Sequence, residues 1–559
     1  MVFADLLEQV GSTGRFQLVH VTLLSVPILM MASHNLLQNF VAAVPPHHCT
    51  THTNLSDSVL GPAETLLLSV PIDGQGKLER CRRYVQPQWD LLGKNSSEDL
   101  EKNEIEMEGC VDGWTYNKTD MSSTIITEWD LVCDLRSLKQ MGQTIYMGGV
   151  LVGALVFGGL SDKFGRRILL LISHLMMAVS GTCTAFASSY PLFCLFRFFS
   201  GMALSGIILN SFSLIVEWIP TRIRTVVGTA TGYCYTTGQL MLAGVAYNIR
   251  DWRWLTLAVS LPFYVFFLYS WWFLESARWL VLTKKPEEAV QNLKTVARVN
   301  GRQAEGDKIN LEVKRDKVAM LKELSCSQVA HSALDLVRTR TMRTITVCLS
   351  AVWFSTSFSY YGLSMDLQKF GVNIYLIQVI FGAVDIPAKI IITVAMSMIG
   401  RRLSQCVSLV LSGITILTNG LVPYEMQTLR TSLAVLGKGC LAASFSCCYL
   451  YSGELYPTVI RQNGMGWVST MARLGAMVAP LVLLLSDAVT WLPGVIYGAA
   501  PILSGIFAYF LPETLSMPLP DTIQDAEDRG FKLRKSKEPP KKEEVVLNDQ
   551  TSMPLKECA

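Results

Sequence analysis

Twelve apolar runs, each near the ~20 residues a helix needs to cross a bilayer, fall at about 16–44, 141–160, 168–188, 192–216, 226–247, 253–274, 344–366, 373–398, 404–424, 430–453, 463–487 and 491–511. Hydrocarbon offers no partner for a free N–H or C=O, so runs of this length commit to helices. With 50% apolar and 17% charged residues among 559, the chain is too apolar for a soluble enzyme of its size. The fold class expected is therefore an all-α membrane protein. The first run has no basic cluster before it and no small-residue cleavage site after it, so it reads as a retained span rather than a signal peptide. A net charge of +3 implies no nucleic-acid partner.

Polar stretches set the expected orientation. Residues 45–140 hold Cys49, Cys81, Cys110 and Cys133 together with Asn-x-Ser/Thr sequons at Asn54, Asn95 and Asn117. An even cysteine set beside glycosylation acceptors points to an oxidising, extracellular loop with two disulfides, whose pairing the spacing leaves open. Residues 275–343 carry fourteen Lys/Arg against nine Asp/Glu, and Lys163, Arg166, Arg167, Arg222, Arg224, Arg401, Arg402 and Arg461 fall on the same side. That excess marks the cytosol. The expected organisation is an N-terminus with helix 1 over 1–44, the extracellular loop 45–140, helices 2–6 over 141–274, a cytosolic linker 275–343, helices 7–12 over 344–511 and a disordered cytosolic tail 512–559.

The two sets of six spans repeat one another. Gly165-Arg166-Arg167 returns as Gly400-Arg401-Arg402 at an offset of 235, Glu217-x-x-Pro220-Thr221-x-x-Arg224 as Glu454-x-x-Pro457-Thr458-x-x-Arg461 at 237, and Glu275-Ser276 as Glu513-Thr514 at 238. Parallel six-helix halves place a binding site near the midplane between them.

Into one of these spans the chain puts an arginine. Arg473 lies twelve residues past Arg461, roughly 18 Å along a helix. A cation at that depth costs ~2.5–3.5 kcal/mol on insertion scales, so it must face protein or a cavity. Ser469, Thr470, Ala476 and Met477 occupy the positions three and four away, so no acid on its own helix neutralises it. Lys389 lies roughly 16 Å in by the same rise, eleven residues before Gly400. Asp385, four residues before Lys389, is within reach of it along the helix. Arg197 and Lys438 sit nearer span ends and read as snorkelling cations.

The motif Gly158-x-Leu160-Ser161-Asp162-Lys163-Phe164-Gly165-Arg166-Arg167 resembles the loop signature between helices two and three of the major facilitator superfamily. Met31-Ala32-Ser33-His34-Asn35, Asp385-Ile386-Pro387-Ala388-Lys389, Gly437-Lys438-Gly439-Cys440 and Gly453-Glu454-Leu455-Tyr456-Pro457-Thr458 narrow the similarity to the organic anion transporters of the polyspecific organic ion transporter family. The likeness runs from Met1 to about Asp525 and is to the para-aminohippurate type more than the urate-selective type, which differs in helix one.

The resemblance implies a major facilitator fold of twelve transmembrane helices in two six-helix halves. It implies exchange of small organic anions for an intracellular dicarboxylate such as 2-oxoglutarate across the plasma membrane, with both termini cytosolic. No metal or cofactor is implied, and chloride is left open as a modulator. It moves Tyr233, Trp353, Tyr360, Tyr361 and Phe445 toward the cavity beside Arg473 and Lys389, with Asn35, Asn210 and Ser446 as polar contacts. It assigns Asp162, Arg166 and Arg167 to gating, a role extended by the repeat to Glu217, Arg224, Glu454 and Arg461. Gly437-Lys438 lacks the upstream glycine of a phosphate-binding loop, so no nucleotide is expected. Rival readings are a cation or zwitterion carrier of the same fold using Asp385, a urate-type exchanger, and a receptor built on the large loop.

Overall fold

The computed structural model describes residues 10–11, 13–51, 61–73, 77–89, 106–220, 223–283, 285–304, 335–365, 367–423, 425–457, 459–487, 489, 491–515, 517, 520 and 522–528. The sequons Asn54 and Asn95, the side chain of Asp162, the middle of the linker and the end of the tail lie outside them.

The described residues form twelve long helical segments. They are α1 (Arg15–Val41), α2 (Ser137–Phe164), α3 (Arg166–Ala185), α4 (Tyr190–Trp218), α5 (Arg224–Asn248), α6 (Trp252–Ser270), α7 (Arg340–Ser364), α8 (Ile374–Met398), α9 (Arg401–Leu421), α10 (Gln427–Leu455), α11 (Arg461–Leu483) and α12 (Leu492–Tyr509). Ten are apolar enough to cross a membrane by composition; α5 and α7 are not. Their polarity has a cause. Thr236, Gln239, Ser355, Thr356, Ser357 and Ser359 are buried inside the bundle rather than turned to lipid.

Small residues let the helices of each half approach. A Cβ on Gly149, Gly153 or Gly201 would lie 2.1, 2.6 or 2.2 Å from a backbone oxygen across the α2–α4 contact, and one on Gly475 would lie 2.4 Å from Phe354 O where α11 meets α7. Close backbone packing of this kind replaces the hydrophobic drive that lipid cannot supply.

The halves meet along two seams, α5 on α8 and α2 on α11. Toward the side of the long loop the contacts tighten. Tyr375 of α8 stacks on Phe40 at 5.6 Å and meets Tyr247 edge-on at 5.5 Å. Asn39 Nδ2 donates to Ser364 O at 2.8 Å, and Gln368 both accepts from Val44 N at 2.9 Å and donates to Val44 O at 3.0 Å.

The loop itself is two small antiparallel ribbons, β1 (His47–Cys49) on β4 (Trp114–Tyr116) and β2 (Arg82–Tyr84) on β3 (Met107–Gly109). The disulfides pair Cys49 with Cys110 and Cys81 with Cys133. Arg83, nearly buried, joins Glu108 at 2.8 Å and Asp112 at 2.7 Å. Asn117 is exposed. The loop rests on the first half, where Trp252 Nε1 donates to Glu128 Oε2 at 2.8 Å.

On the opposite side, linker helices Ala277–Leu282 and Pro286–Val299 pack through Leu280, Leu293 and Val296 on Trp218 and Val10. Asn300 fastens them. Its Oδ1 accepts from Phe16 N at 2.9 Å, and its Nδ2 donates to Val10 O, Gly11 O and Gln17 Oε1 within 3.1 Å.

Candidate binding site between the halves

Arg473 is partly buried on the inner face of α11, and its Nη1 donates to Ser469 Oγ at 2.7 Å. The hydroxyls of Tyr449 and Tyr361 are its electrostatic neighbours. Among the described residues no carboxylate pairs with it. A guanidinium in this position presents a planar fork of donors suited to a carboxylate.

Aromatic rings form the wall beside it. Tyr449 meets Trp353 edge-on at 4.6 Å, Phe445 stands 5.3 Å from Tyr360, and Tyr360 is 5.5 Å from Tyr361. Trp353 is buried behind this group, its Nε1 donating to Ser452 Oγ at 2.8 Å. Phe354 and Phe358, on the same face as Tyr361 by spacing, stack on one another, and Phe358 meets Tyr497 of α12 at 4.9 Å.

Lys389 reaches across the seam instead of along its helix. Its Nζ donates to Gly232 O and Thr236 Oγ1 of α5, each at 2.8 Å, and lies 5.6 Å from the Tyr233 ring centre. Asp385, within reach of Lys389 along the helix, does not pair with it. Asp385 Oδ1 instead accepts from Lys438 Nζ at 2.8 Å, while its Oδ2 accepts from Gln239 Nε2 at 3.2 Å and Tyr360 Oη at 3.3 Å. Lys438 also donates to Phe381 O at 2.6 Å. Neither Lys438 nor Arg197 snorkels: they are 1% and 2% exposed. Both are locked into the interior because polar and aromatic groups on neighbouring helices hold them there.

Asn35 bridges Tyr146 Oη at 3.0 Å and Tyr235 Oη at 3.2 Å. Ser446 bonds back to Ala442 O at 3.3 Å. Asn210 is engaged elsewhere, accepting from Ser161 Oγ at 2.7 Å between α2 and α4 and donating to Gly206 O at 2.8 Å. The structure thus brings Arg473, Tyr361, Tyr360, Trp353 and Phe445 into one group, sets Lys389 with Tyr233 on the adjoining seam, and leaves Asn210 outside it. Tyr449 and Tyr235, aromatic residues of α10 and α5, stand beside these groups. Tyr449 lies four residues past Phe445, on the same helical face.

The sugar (and other) transporter family matches residues 98–524. Solute carrier family 22 member 6 of Danio rerio is 73% identical over the full length of both chains, and its namesake in Pseudopleuronectes americanus 67% over the full length of both. The protein of that name in Rattus norvegicus is 51% identical over 95% of each. The chain belongs to solute carrier family 22. Among solved structures, the xylose transporter XylE from E. coli in a partially occluded inward open conformation aligns with a TM-score of 0.59, at 15% identity, over 89% of this chain and 98% of that one. That likeness carries the major facilitator fold. This member of solute carrier family 22 is a multi-pass membrane transporter, not an enzyme.

In this family member the sequence repeat is also a repeat of geometry. Gly165 and Gly400, at φ +98° and +103°, turn the chain between α2 and α3 and between α8 and α9. Glu275 accepts from Arg166 N at 3.1 Å and Arg167 N at 3.0 Å; Glu513 accepts from Arg401 N at 2.8 Å and Arg402 N at 3.0 Å. Each carboxylate caps the exposed N–H groups and the positive dipole end of a helix. Burial alone would push the Glu513 carboxyl up, but N–H groups of Arg401, Leu515, Thr514 and Arg402 outweigh it and hold it below the usual carboxylate range. One helix further in, Arg166 Nε stands 3.4 Å from Glu217 Oε1 and Arg401 Nε 3.1 Å from Glu454 Oε2. Arg461 Nε donates to Tyr456 O at 3.2 Å, and Arg224 is exposed at the start of α5.

Proposed function

We propose that this solute carrier is a secondary active transporter of organic anions at the plasma membrane, exchanging an external anion for an intracellular dicarboxylate such as 2-oxoglutarate. The loop with its disulfides and sequons would face outward and both termini the cytosol. The observation that carries this reading is Arg473. It is a guanidinium deep in a span, bonded to a neutral serine hydroxyl and walled by Tyr361 and Tyr449, with no described acid beside it. A travelling carboxylate completes that charge, while the rings of Tyr361, Tyr360, Phe445 and Tyr449 take up an aromatic body. Tyr233, Lys389, Asn35 and Ser446 border the same space in this reading.

Alternating access would work through the seams. Contacts between the halves at Lys389 and, toward the loop side, at Tyr375 and Gln368 would close the path on that side. Exchange then requires that these contacts part while the Arg166–Glu217 and Arg401–Glu454 groups on the other side come together as a gate. A cation carrier would need a free acid in the cavity, and Asp385 is neutralised by Lys438.

Uptake of labelled para-aminohippurate into transfected cells tests the proposal, with and without preloaded glutarate and beside a labelled organic cation. Wild-type cells should take up the anion, faster when preloaded, and Arg473→Ala should lose most of this at unchanged surface level. Anion uptake that survives Arg473→Ala intact would defeat the binding role.

A further inference from the structure

One polar side chain of the first half ends on the aromatic wall of the second. Gln239 of α5 is fully buried, and its Nε2 donates to Tyr360 Oη of α7 and to Asp385 Oδ2 of α8, each at 3.2 Å. Gly382, one turn before Asp385, lets α5 come this close, since a Cβ there would meet Leu240 Cδ2 at 2.7 Å and Gln239 Cβ at 3.7 Å.

The partners fix the sense of these bonds. The Asp385 carboxylate, paired with Lys438 at 2.8 Å, can only accept, so the amide must turn its NH2 end to it. Its own Oε1 is buried with no partner, and the side chain is held by the NH2 end alone. Asp385 also takes the proton of Tyr360, whose Oη donates to Oδ2 at 3.3 Å. The Tyr360 hydroxyl thus gives to Asp385 and accepts from Gln239, which leaves it no proton for a substrate. What Tyr360 can offer is its ring. That ring is held as well: Lys438 Nζ stands 5.0 Å from its centre, and Phe445 and Tyr361 meet it edge-on at 5.3 and 5.5 Å. An aromatic body packs on another ring in offset or edge-on poses, so a fixed tilt matters to it and little to an aliphatic chain.

We propose that Gln239 is a positioning residue for the anion site: with Asp385 it pins the Tyr360 hydroxyl, so that Tyr360 meets a bound anion by its ring, at a tilt that favours aromatic anions. The proposal rests on the organic-anion reading and adds to it a source of selectivity in the opposite half. Gln239 touches no substrate; it acts through Tyr360.

Uptake kinetics of labelled para-aminohippurate and labelled glutarate test it, the one probe with a ring and the other without. Gln239→Leu removes the donor at similar volume. It should raise KM for para-aminohippurate about fivefold, the worth of one aromatic contact, with maximal rate per surface molecule retained and KM for glutarate within about twofold of wild type. In a Tyr360→Phe background, which has no hydroxyl to pin, the same change should add nothing. Equal rises in KM for the two probes, an effect of the same size in both backgrounds, or wild-type KM for para-aminohippurate in Gln239→Leu overturns the proposal.

Melting of the ligand-free purified protein decides the hydrogen bond itself, including for a variant that reaches the cell surface too poorly for uptake. Gln239→Leu and Tyr360→Phe should lower Tm by less together than the sum of the two alone, and additive losses refute the pinning whatever the protein carries. Wild-type protein that takes up neither probe would sink the transport reading alone, and the melting cycle would still decide the bond.

Discussion

Lys438 Nζ lies 2.8 Å from Asp385 Oδ1 with both side chains all but sealed from solvent, at 1% and 2% exposure. Both belong to the second half, yet Gln239 of α5 reaches Asp385 from the first. The pair therefore sits where a helix of one half touches the other.

Removing one member should be worse than removing both. An isolated buried charge costs about 3–5 kcal/mol, whereas a neutral pair of similar volume is often tolerated. Asp385→Ala or Lys438→Ala should lower Tm of the purified protein sharply, and Asp385→Asn with Lys438→Met should recover most of it. Equal losses in the single and double variants would mean that the charges are not coupled.

Glu513 should give the fold a defined pH dependence. Its folded carboxyl titrates below its unfolded one, so its contribution is fully present above the unfolded value, near pH ~4.3, and fades as pH falls through the folded one. Glu513→Gln should cost about 1 kcal/mol at pH 7, the scale of a helix cap, trimmed by solvent at this half-buried site. Melting curves of wild type and variant should converge as the buffer is taken toward pH 3. A gap that widens on acidification would reverse the assignment.

Close helix contact should be intolerant of a side chain at Gly475. A Cβ there falls 2.4 Å from Phe354 O, a backbone atom that cannot swing aside. Gly475→Val should cost at least about 1–3 kcal/mol from overpacking, read as loss of the monodisperse species in detergent, whereas Gly494→Val, with open space around its Cβ, should leave it intact.

The loop's disulfides close segments of 61 and 52 residues. Loss of either should cost about 2–5 kcal/mol. Non-reducing peptide mapping should find Cys49 with Cys110 and Cys81 with Cys133; any other pairing refutes the connectivity.

Much of this was readable in the residues because it depends on local spacing. Span length fixed the helices, the doubled Gly-Arg-Arg and Glu-x-x-Pro-Thr signatures fixed the halves, and Arg473 stood out because no acid lay within one turn. The partner of Asp385 is not legible for the converse reason. Lys389 lies one turn away and Lys438 fifty-three residues away, and only the packing of α8 on α10 brings the distant lysine to it. Lys438 also seemed shallower than it is, because α10 begins at Gln427 rather than near residue 430. The roles of Glu275 and Glu513 were hidden in plain repetition: both were visible as an echo, but only three-dimensional proximity identifies them as caps.

Asn300 clasps the amino-terminal segment and the start of α1, so the helix Pro286–Val299 is bolted to the first bundle. Whatever swing that bundle makes, this short rod must copy it outside the lipid. A dye on its exposed Gln291, watched against one on the second bundle, would turn a motion buried in the bilayer into a distance measured in water.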